Sequence, residues 1–487
     1  MPKRAAQRPV VEPSKAANLR PAILVVLVIA ALLRLAATWN DLWLDEIWTL
    51  TLIGPLHSPL EIVTSLHHDN NHVLNSLFLY LLRPIGWDWL YRVPALIAGI
   101  ATMALGAFLA TLDDARAPGP SDASPHVRAL VTALVLGISH PLIQYGSEAR
   151  GYALALAFGL GAIAVALRDG VRPRSAAAPA CWALLILAFL SHALALHVLT
   201  ALIAWGAVRA LRRDRLPTGL ATLAWWFAVP SIAFGAFYAF FLRGMTVGGG
   251  NREGIGPPLA RALATVSGLP VDVPFVLRLV IVLGLAAAGL WVVARRGSDL
   301  WVLFVVGIVV SPAILAVVQR TNLYAERYFL VSMILWLLLF ARLLAWLATR
   351  GGGATILAVL ALALFGLGNG ARVARLLQDG RGNYQAALRY MVAHTTGDVT
   401  AIASDHDFRN RLVVEYFGPR MPKPVRYVSR ADSTPTQWYL TQGNLGDAPP
   451  LNRIAVPRGM YRLVRTYPTA MLSGLVWSVY ERESPGR

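Results

Sequence analysis

The chain has 487 residues, 56% of them hydrophobic and 14% charged, with a net charge of +18. A soluble domain carries about 45–50% apolar and about 25% charged residues, so neither a soluble enzyme nor a disordered chain fits. The sequence pI of 10.6 would ordinarily suggest nucleic acid. Here the basic residues are scattered between long apolar runs, which points to a membrane protein without a nucleic-acid partner. The single cysteine, Cys181, excludes an intrachain disulfide and a Cys-based zinc site.

Residues 1–20 hold Lys3, Arg4, Arg8, Lys15 and Arg20 ahead of the first apolar run. A signal peptide begins similarly, but the many apolar runs that follow predict an uncleaved first span. A span needs about 20 mostly apolar residues. Eleven are predicted: 21–38, 91–111, 128–145, 151–167, 178–191, 193–211, 220–242, 273–294, 299–318, 328–348 and 353–371. The fifth and sixth come from one uncharged run, Ala176 to Val208, divided at Ser191-His192. Two further segments, Ser58–Leu66 and Val73–Ile85, are too short to cross and are predicted to lie in the interface. Counting the second as a span would invert every later loop.

With the N-terminus inside, alternate loops collect Arg116 and Arg128; Arg168, Arg172 and Arg174; Arg209, Arg212, Arg213 and Arg215; Arg295 and Arg296; Arg342 and Arg350. That pattern follows the positive-inside rule. The cytoplasmic segments then carry +11, the outer loops −1 and residues 372–487 carry +7, with Arg34 in the first span adding +1. The predicted organisation is a cytoplasmic tail (1–20), a transmembrane domain (21–371) and a small extracytoplasmic α/β domain (372–487). In that last domain Tyr384–His394 reads as a helix. Val399–Ser404, Val425–Ser429, Tyr461–Thr466 and Leu475–Tyr480 read as strands. No internal repeat is visible. The glycine-rich segment 243–272 reads either as a mobile loop over a cavity or as a plain connector.

Four polar clusters flank span ends on the predicted outer face, where ionisable residues often mark function. The first contains Asp41, Asp45 and Glu46; a carboxylate pair there could bind a metal, act as a base or cap a helix. The second runs from His67 through Asp69 and His72 to Asn75. It could ligate a divalent cation or be a polar loop with a helix cap, and its spacing matches no zinc motif. The third, Glu148, Arg150 and Tyr152, could hold a phosphate or form a structural ion pair. The fourth, Arg320, Asn322, Tyr324, Glu326, Arg327 and Tyr328, repeats that chemistry.

The ordered motifs Leu33-Arg34-Leu35, Leu42-Trp43-Leu44-Asp45-Glu46, His72, Tyr91-Arg92-Val93-Pro94-Ala95, Ser147-Glu148-Ala149-Arg150-Gly151-Tyr152 and Glu326-Arg327-Tyr328-Phe329 span most of residues 20–340. In them the chain resembles the GT-C membrane glycosyltransferases, in particular the protein O-mannosyltransferase, aminoarabinose-transferase and RgtA-like group. It departs in having His72-Val73-Leu74-Asn75 where many members have His-Pro-Pro-Leu. The resemblance implies a polytopic α-helical GT-C fold in the bacterial inner membrane. It implies transfer of a hexosyl or pentosyl group from a polyprenyl-phosphate carrier to a lipid, glycan or protein acceptor outside, with inversion. Asp45 would be the base, supported by Glu46. Arg150 and Arg327, with Arg34 and Arg320 in reserve, would hold the lipid phosphate. Asp69 and His72 would hold the sugar or a metal, with Asp45 and His72 the candidate ligands of a divalent metal cation. Glu148, Tyr152 and Tyr328 would complete the substrate site. The competing class is a transporter or lipid flippase of the envelope, which repeated halves and mid-membrane charges would favour.

Overall fold

The structure is a computed structural model that describes residues 19–112, 123–248, 254–318, 324–444 and 446–483. Its helices run α1 (Arg20–Ala36), α2 (Leu44–Ile53), α3 (Glu61–Thr64), α4 (Val73–Leu82), α5 (Val93–Thr111), α6 (Pro125–Ile138) and α7 (His140–Tyr145). They continue with α8 (Tyr152–Asp169), α9 (Ala178–Ser191), α10 (Ala195–Arg213), α11 (Leu216–Phe237), α12 (Gly256–Ser267) and α13 (Phe275–Ala294). The rest are α14 (Leu300–Val305), α15 (Ser311–Val318), α16 (Leu330–Ala348), α17 (Gly352–Asp379), α18 (Tyr384–Ala393) and α19 (Asp407–Phe417). Six strands close the chain: β1 (Thr400–Ser404), β2 (Val425–Tyr427), β3 (Trp438–Gly443), β4 (Arg453–Val456), β5 (Gly459–Tyr467) and β6 (Val476–Arg482).

Among the described residues, eight helices are long and apolar enough to cross a membrane. They fall on eight of the eleven expected spans. The other three expected spans are occupied by α1, with 17 residues, and by α6 and α9, with 14 each. The chain is thus a polytopic helical protein with a C-terminal sheet domain. The central helix is α16, whose span is 83% buried, whereas the span containing α17 is 17% buried. Leu357, Leu360, Leu364 and Leu367 of α17 are exposed, as are Leu24, Val28 and Leu32 of α1. Such stripes belong in hydrocarbon rather than water. Trp39, Trp87 and Trp89 are also exposed between α1 and α5, as an interfacial aromatic belt would be.

The expected span 128–145 is not one helix. Proline at 141 has no N–H to offer the Gly137 carbonyl, and the His140 N–H donates instead to Asn369 Oδ1 at 2.9 Å. The chain breaks at Ser139, leaving the Leu136 and Gly137 carbonyls without helical donors. Arg34 supplies them: Nη2 donates to Leu136 O at 3.1 Å and Nη1 to Gly137 O at 3.3 Å. The expected loop 243–272 also differs, because it contains the amphipathic helix α12.

The sheet order is β2-β1-β3-β6-β5-β4, with β1 parallel to β2 and β3 and the remaining pairs antiparallel. Strands β3 and β4 and helix α19 were not anticipated from the sequence. One sheet face buries Trp438 and Trp477 against Tyr384, Leu388 and Phe417. The same core continues into Leu42, Trp43 and Ile47 of the first outer loop. Asp88 accepts from Tyr416 at 2.6 Å and pairs with Arg420, so the sheet domain is fastened to that loop. At the opposite end of the bundle a separate set of loops is joined. Arg212 pairs with Asp299, Arg213 donates to Val171 O at 2.9 Å and Trp226 to Arg172 O at 2.9 Å. The loops near residues 171, 213 and 299 are thus joined to one another.

Candidate active site

The site is organised around the start of α2. Trp43 at its N-cap has no side-chain acceptor to offer, so Glu46, three residues on, accepts the Trp43 N–H at 3.0 Å. Glu46 also accepts from Arg92 at 2.8 Å and 2.6 Å and from the Ala149 N–H at 2.7 Å. Both partners of the Glu46–Arg92 pair are buried. Burial works to raise the Glu46 pKa, but the charge and hydrogen bonds of Arg92 outweigh it and hold Glu46 below the ordinary carboxylate value. Glu46 is thus sealed away from the cavity described below. It fixes the first turn of α2, from which Asp45 projects.

The 148–151 turn is fixed in turn. Ala149 donates to Glu46 and accepts from Asn75 Nδ2 at 2.9 Å, and the Gly151 N–H donates to His72 Nδ1 at 2.8 Å. A Cβ at Gly151 would lie 1.9 Å from Ser191 O and 2.7 Å from His72 Nδ1, so only glycine lets these segments meet. This frame holds Arg150. Its Nη1 reaches Asp45 Oδ2 at 2.5 Å and Asn70 Oδ1 at 2.6 Å, and its Nη2 reaches Tyr152 Oη at 3.3 Å. Burial would lower the Arg150 pKa, but the facing Tyr152 and Asp45 keep it firmly above the ordinary value. Arg327 approaches the same Asp45 oxygen from the other side at 3.8 Å. Asp45 therefore lies between two guanidinium groups. Nε of Arg150 and Nε of Arg327 are both buried without a hydrogen-bond partner among the described residues.

Asp45, Asp69, Arg327 and Tyr328 line a cavity of about 440 Å³. Arg261 and Glu326, an ion pair, form one side, and Arg409, Asn444 and Asp447 of the C-terminal domain face in from above. Asp69 accepts from Gly248 N–H at 3.0 Å and contacts His68 Nδ1 at 3.0 Å. Burial raises its pKa, but those contacts leave it below the ordinary value. Arg150, Tyr152 and His72 stand directly behind Asp45, and His72 packs edge-on against His192 at 4.7 Å.

Two expected site residues lie elsewhere. Arg34 serves the helix break described above. Glu148 is buried and accepts from Ser473 Oγ at 2.7 Å, with Arg381 Nε at 3.6 Å. Burial raises its pKa above the ordinary value despite Arg381. Arg320 lies outside the described residues. The donors do not fit a metal at Asp45 and His72. The Arg150 guanidinium stands between them, His72 Nδ1 accepts from Gly151, and His72 Nε2 faces Arg150 Nη2 at 3.2 Å. Burial, reinforced by Arg150, pushes the His72 pKa well below the ordinary imidazole value. Among the described residues no group of three or more His, Cys, Asp or Glu side chains is gathered to hold a metal.

Several residues escaped sequence reasoning. Arg381 donates to Ala37 O at 3.1 Å, Gln144 O at 2.6 Å and Ser147 Oγ at 2.8 Å, joining α1, α7 and the tail. Its setting between Gly380 and Gly382 just beyond a span was the available signal. Both glycines have positive φ, and the neighbouring loop comes so close that a Cβ on Gly474 would lie 1.9 Å from Arg381 O. His192, placed in a tight turn, and the cavity residues Arg261 and Arg409 carried no local signal.

A scan against protein-family models found no match, and a search of curated proteins found none significantly similar. Among solved structures the chain is similar to the crystal structure of the Archaeoglobus fulgidus oligosaccharyltransferase in complex with zinc and sulfate. Identity is 11% over 86% of this chain and 68% of that one, with a TM-score of 0.44. It is also similar to the crystal structure of ArnT from Cupriavidus metallidurans bound to undecaprenyl phosphate. There identity is 13% over 95% of this chain and 98% of that one, with a TM-score of 0.48.

Proposed function

We propose that this chain is a GT-C-type glycosyltransferase of the bacterial inner membrane. It moves a hexosyl or pentosyl group from a polyprenyl-phosphate carrier to a lipid, glycan or protein acceptor on the extracytoplasmic side. The N-terminus is cytoplasmic, and the cavity and C-terminal domain face outward. The charge division between loops and the motif resemblance support this reading. The observation that carries it is Asp45 held between Arg150 and Arg327 at the wall of a cavity, with a buried N–H unused on each arginine.

The chemistry follows from the leaving group. Cleaving the bond between the anomeric carbon and the phosphate oxygen releases polyprenyl phosphate, a stable anion that needs positive charge rather than a strong acid. Arg327 receives it, its 3.8 Å approach to Asp45 leaving its donors available to phosphate oxygens. Asp45 accepts the proton of the acceptor hydroxyl as that oxygen bonds to the anomeric carbon. One displacement with one base inverts the centre. Arg150, locked by Asn70 and Tyr152, orients the Asp45 carboxylate and supports the phosphate charge. Glu46 and His72 are positioning residues, acting through α2 and Arg150.

Full-length protein in membranes supplied with a radiolabelled polyprenyl-phosphate sugar tests this. Label should pass to an envelope acceptor, and Arg327→Gln should raise the donor KM and lower the rate. Absence of transfer across hexosyl and pentosyl donors, with solute counterflow in proteoliposomes instead, would replace the reading with transport.

A further inference from the structure

One wall of the cavity is formed by segments that leave the carboxyl ends of parallel strands. β1 and β3 run the same way, and the segments leaving them contribute Arg409, Asn444 and Asp447 to the lining. Crevices outside the carboxyl ends of parallel strands are where open α/β sheets bind ligands. Asp405 locks the two ends together: its N–H donates to Leu440 O at 3.0 Å and its Oδ2 accepts the Gln442 N–H at 3.1 Å. His406 then caps α19 by accepting the Arg409 N–H at 3.4 Å. That cap sets Arg409 in the first turn, at the cavity wall.

Each of the other two arginines of the lining, Arg261 and Arg327, faces a carboxylate. Asp45 has Arg150 and Arg327, Asp69 has His68, and Arg261 has Glu326. Asp447 Oδ2 accepts the Asn444 backbone N–H at 2.6 Å and its side-chain amide at 3.3 Å. The half-buried Arg409 guanidinium has no hydrogen bond, ion pair or ring contact among the described residues. A guanidinium in a partly water-excluded wall is suited to a carboxylate or phosphate, which it binds in a two-point fork. It belongs to the sheet domain, whereas Asp45 and the arginines assigned to the donor phosphate belong to the loops between membrane helices.

We infer that the C-terminal domain is the acceptor-reading wall of the cavity, and that Arg409 selects an acceptor bearing a phosphate or carboxylate. The word acceptor rests on the glycosyl-transfer reading above; the anion site itself does not. A contact to an acceptor group that takes no part in the bond being made holds ground state and transition state alike, so it governs affinity rather than turnover.

The test uses the full chain in nanodiscs of neutral phosphatidylcholine, with and without saturating polyprenyl phosphate. It is titrated calorimetrically with glucose 6-phosphate, glucuronate and glucose. At least one charged probe should bind wild type more tightly than glucose does, and which one separates phosphate from carboxylate. Arg409→Gln should weaken that probe at least about tenfold, the loss expected for one charge-assisted contact. Arg409→Lys should recover part of it, and glucose should be unaffected. Polyprenyl phosphate should bind Arg409→Gln as it binds wild type. Equal binding of the charged probes by wild type and Arg409→Gln would overturn the inference, as would wild type preferring neither charged probe to glucose. Failure of wild type to bind polyprenyl phosphate would overturn the donor reading instead, and the anion titration without it would still decide the role of Arg409.

Discussion

Glu46 and Glu148 are both buried beside arginines, yet the structure predicts opposite responses to the same substitution. Each Glu46 oxygen accepts two hydrogen bonds: Oε1 from Arg92 Nε and Ala149 N–H, Oε2 from Arg92 Nη2 and Trp43 N–H. In Glu46→Gln the amide nitrogen must replace one oxygen and meet two donors. Two hydrogen bonds are lost and Arg92 is left without its counter-charge. Breaking one side of a buried ion pair costs about 3–5 kcal/mol. Glu148 differs because Oε1 has no hydrogen-bond partner and only Oε2 accepts, from Ser473. Glutamine can keep that bond and place its amide at the unused position, and Arg381 retains its other acceptors, for a cost of about 1 kcal/mol or less.

The assay is thermal unfolding of the two variants in detergent from pH 4 to pH 8. The Glu46 pKa lies below its unfolded value. Its contribution is therefore complete above the ordinary carboxylate pKa and lost as pH falls through the folded value. The Glu148 pKa is raised, so its contribution is complete below the ordinary value and lost as pH rises through the folded one. Glu46→Gln should thus fall furthest behind wild type near neutrality, and Glu148→Gln should lie closest to it there. Equal melting losses for the two variants at pH 7 would refute the reasoning.

Three further outcomes are expected. Arg34→Met strands the Leu136 and Gly137 carbonyls and should destabilise the protein by about 2–3 kcal/mol, with donor KM unchanged; a raised KM at normal stability would return Arg34 to the phosphate site. Gly151→Ala forces a Cβ against Ser191 O and His72 and should cost about 1–3 kcal/mol or more, together with most activity as Arg150 shifts; wild-type melting and transfer would show the frame to be pliable. The divalent-cation requirement of transfer after chelation should be the same in His72→Gln as in wild type, since the ring nitrogens of His72 face Gly151 and Arg150; a changed requirement would place a metal at His72.

The membrane spans were legible because burial in lipid demands long apolar runs. The break at Ser139 was not, because Pro141 sits in an apolar run that otherwise reads as one span. Strand β3 and helix α19 escaped for a different reason. Trp438–Gly443 is buried over its first half on both faces and does not alternate, and α19 begins with Asp-Phe-Arg-Asn-Arg, which shows no apolar stripe. The four polar clusters were found because the chain must bring outer loops together. Their internal ranking was hidden. Asp45 and Glu46 are neighbours about 100° apart on a helix, and only the packing of Arg92 decides which faces the cavity. Arg381 bonds to residues more than 200 positions away and Arg409 lines a cavity with the distant Asp45, relations that no local pattern records.

The central claim is that Asp45 takes the acceptor proton between two arginines. The direct measurement is the single-turnover transfer rate of Asp45→Asn in neutral-lipid nanodiscs, with donor affinity and melting temperature measured on the same sample. Asparagine retains an oxygen for Arg150 but cannot take a proton. Donor binding and fold should hold while the rate falls by about 10²–10⁴-fold, the range for loss of a general base. A rate within a few-fold of wild type, on protein that binds donor normally, would contradict the account.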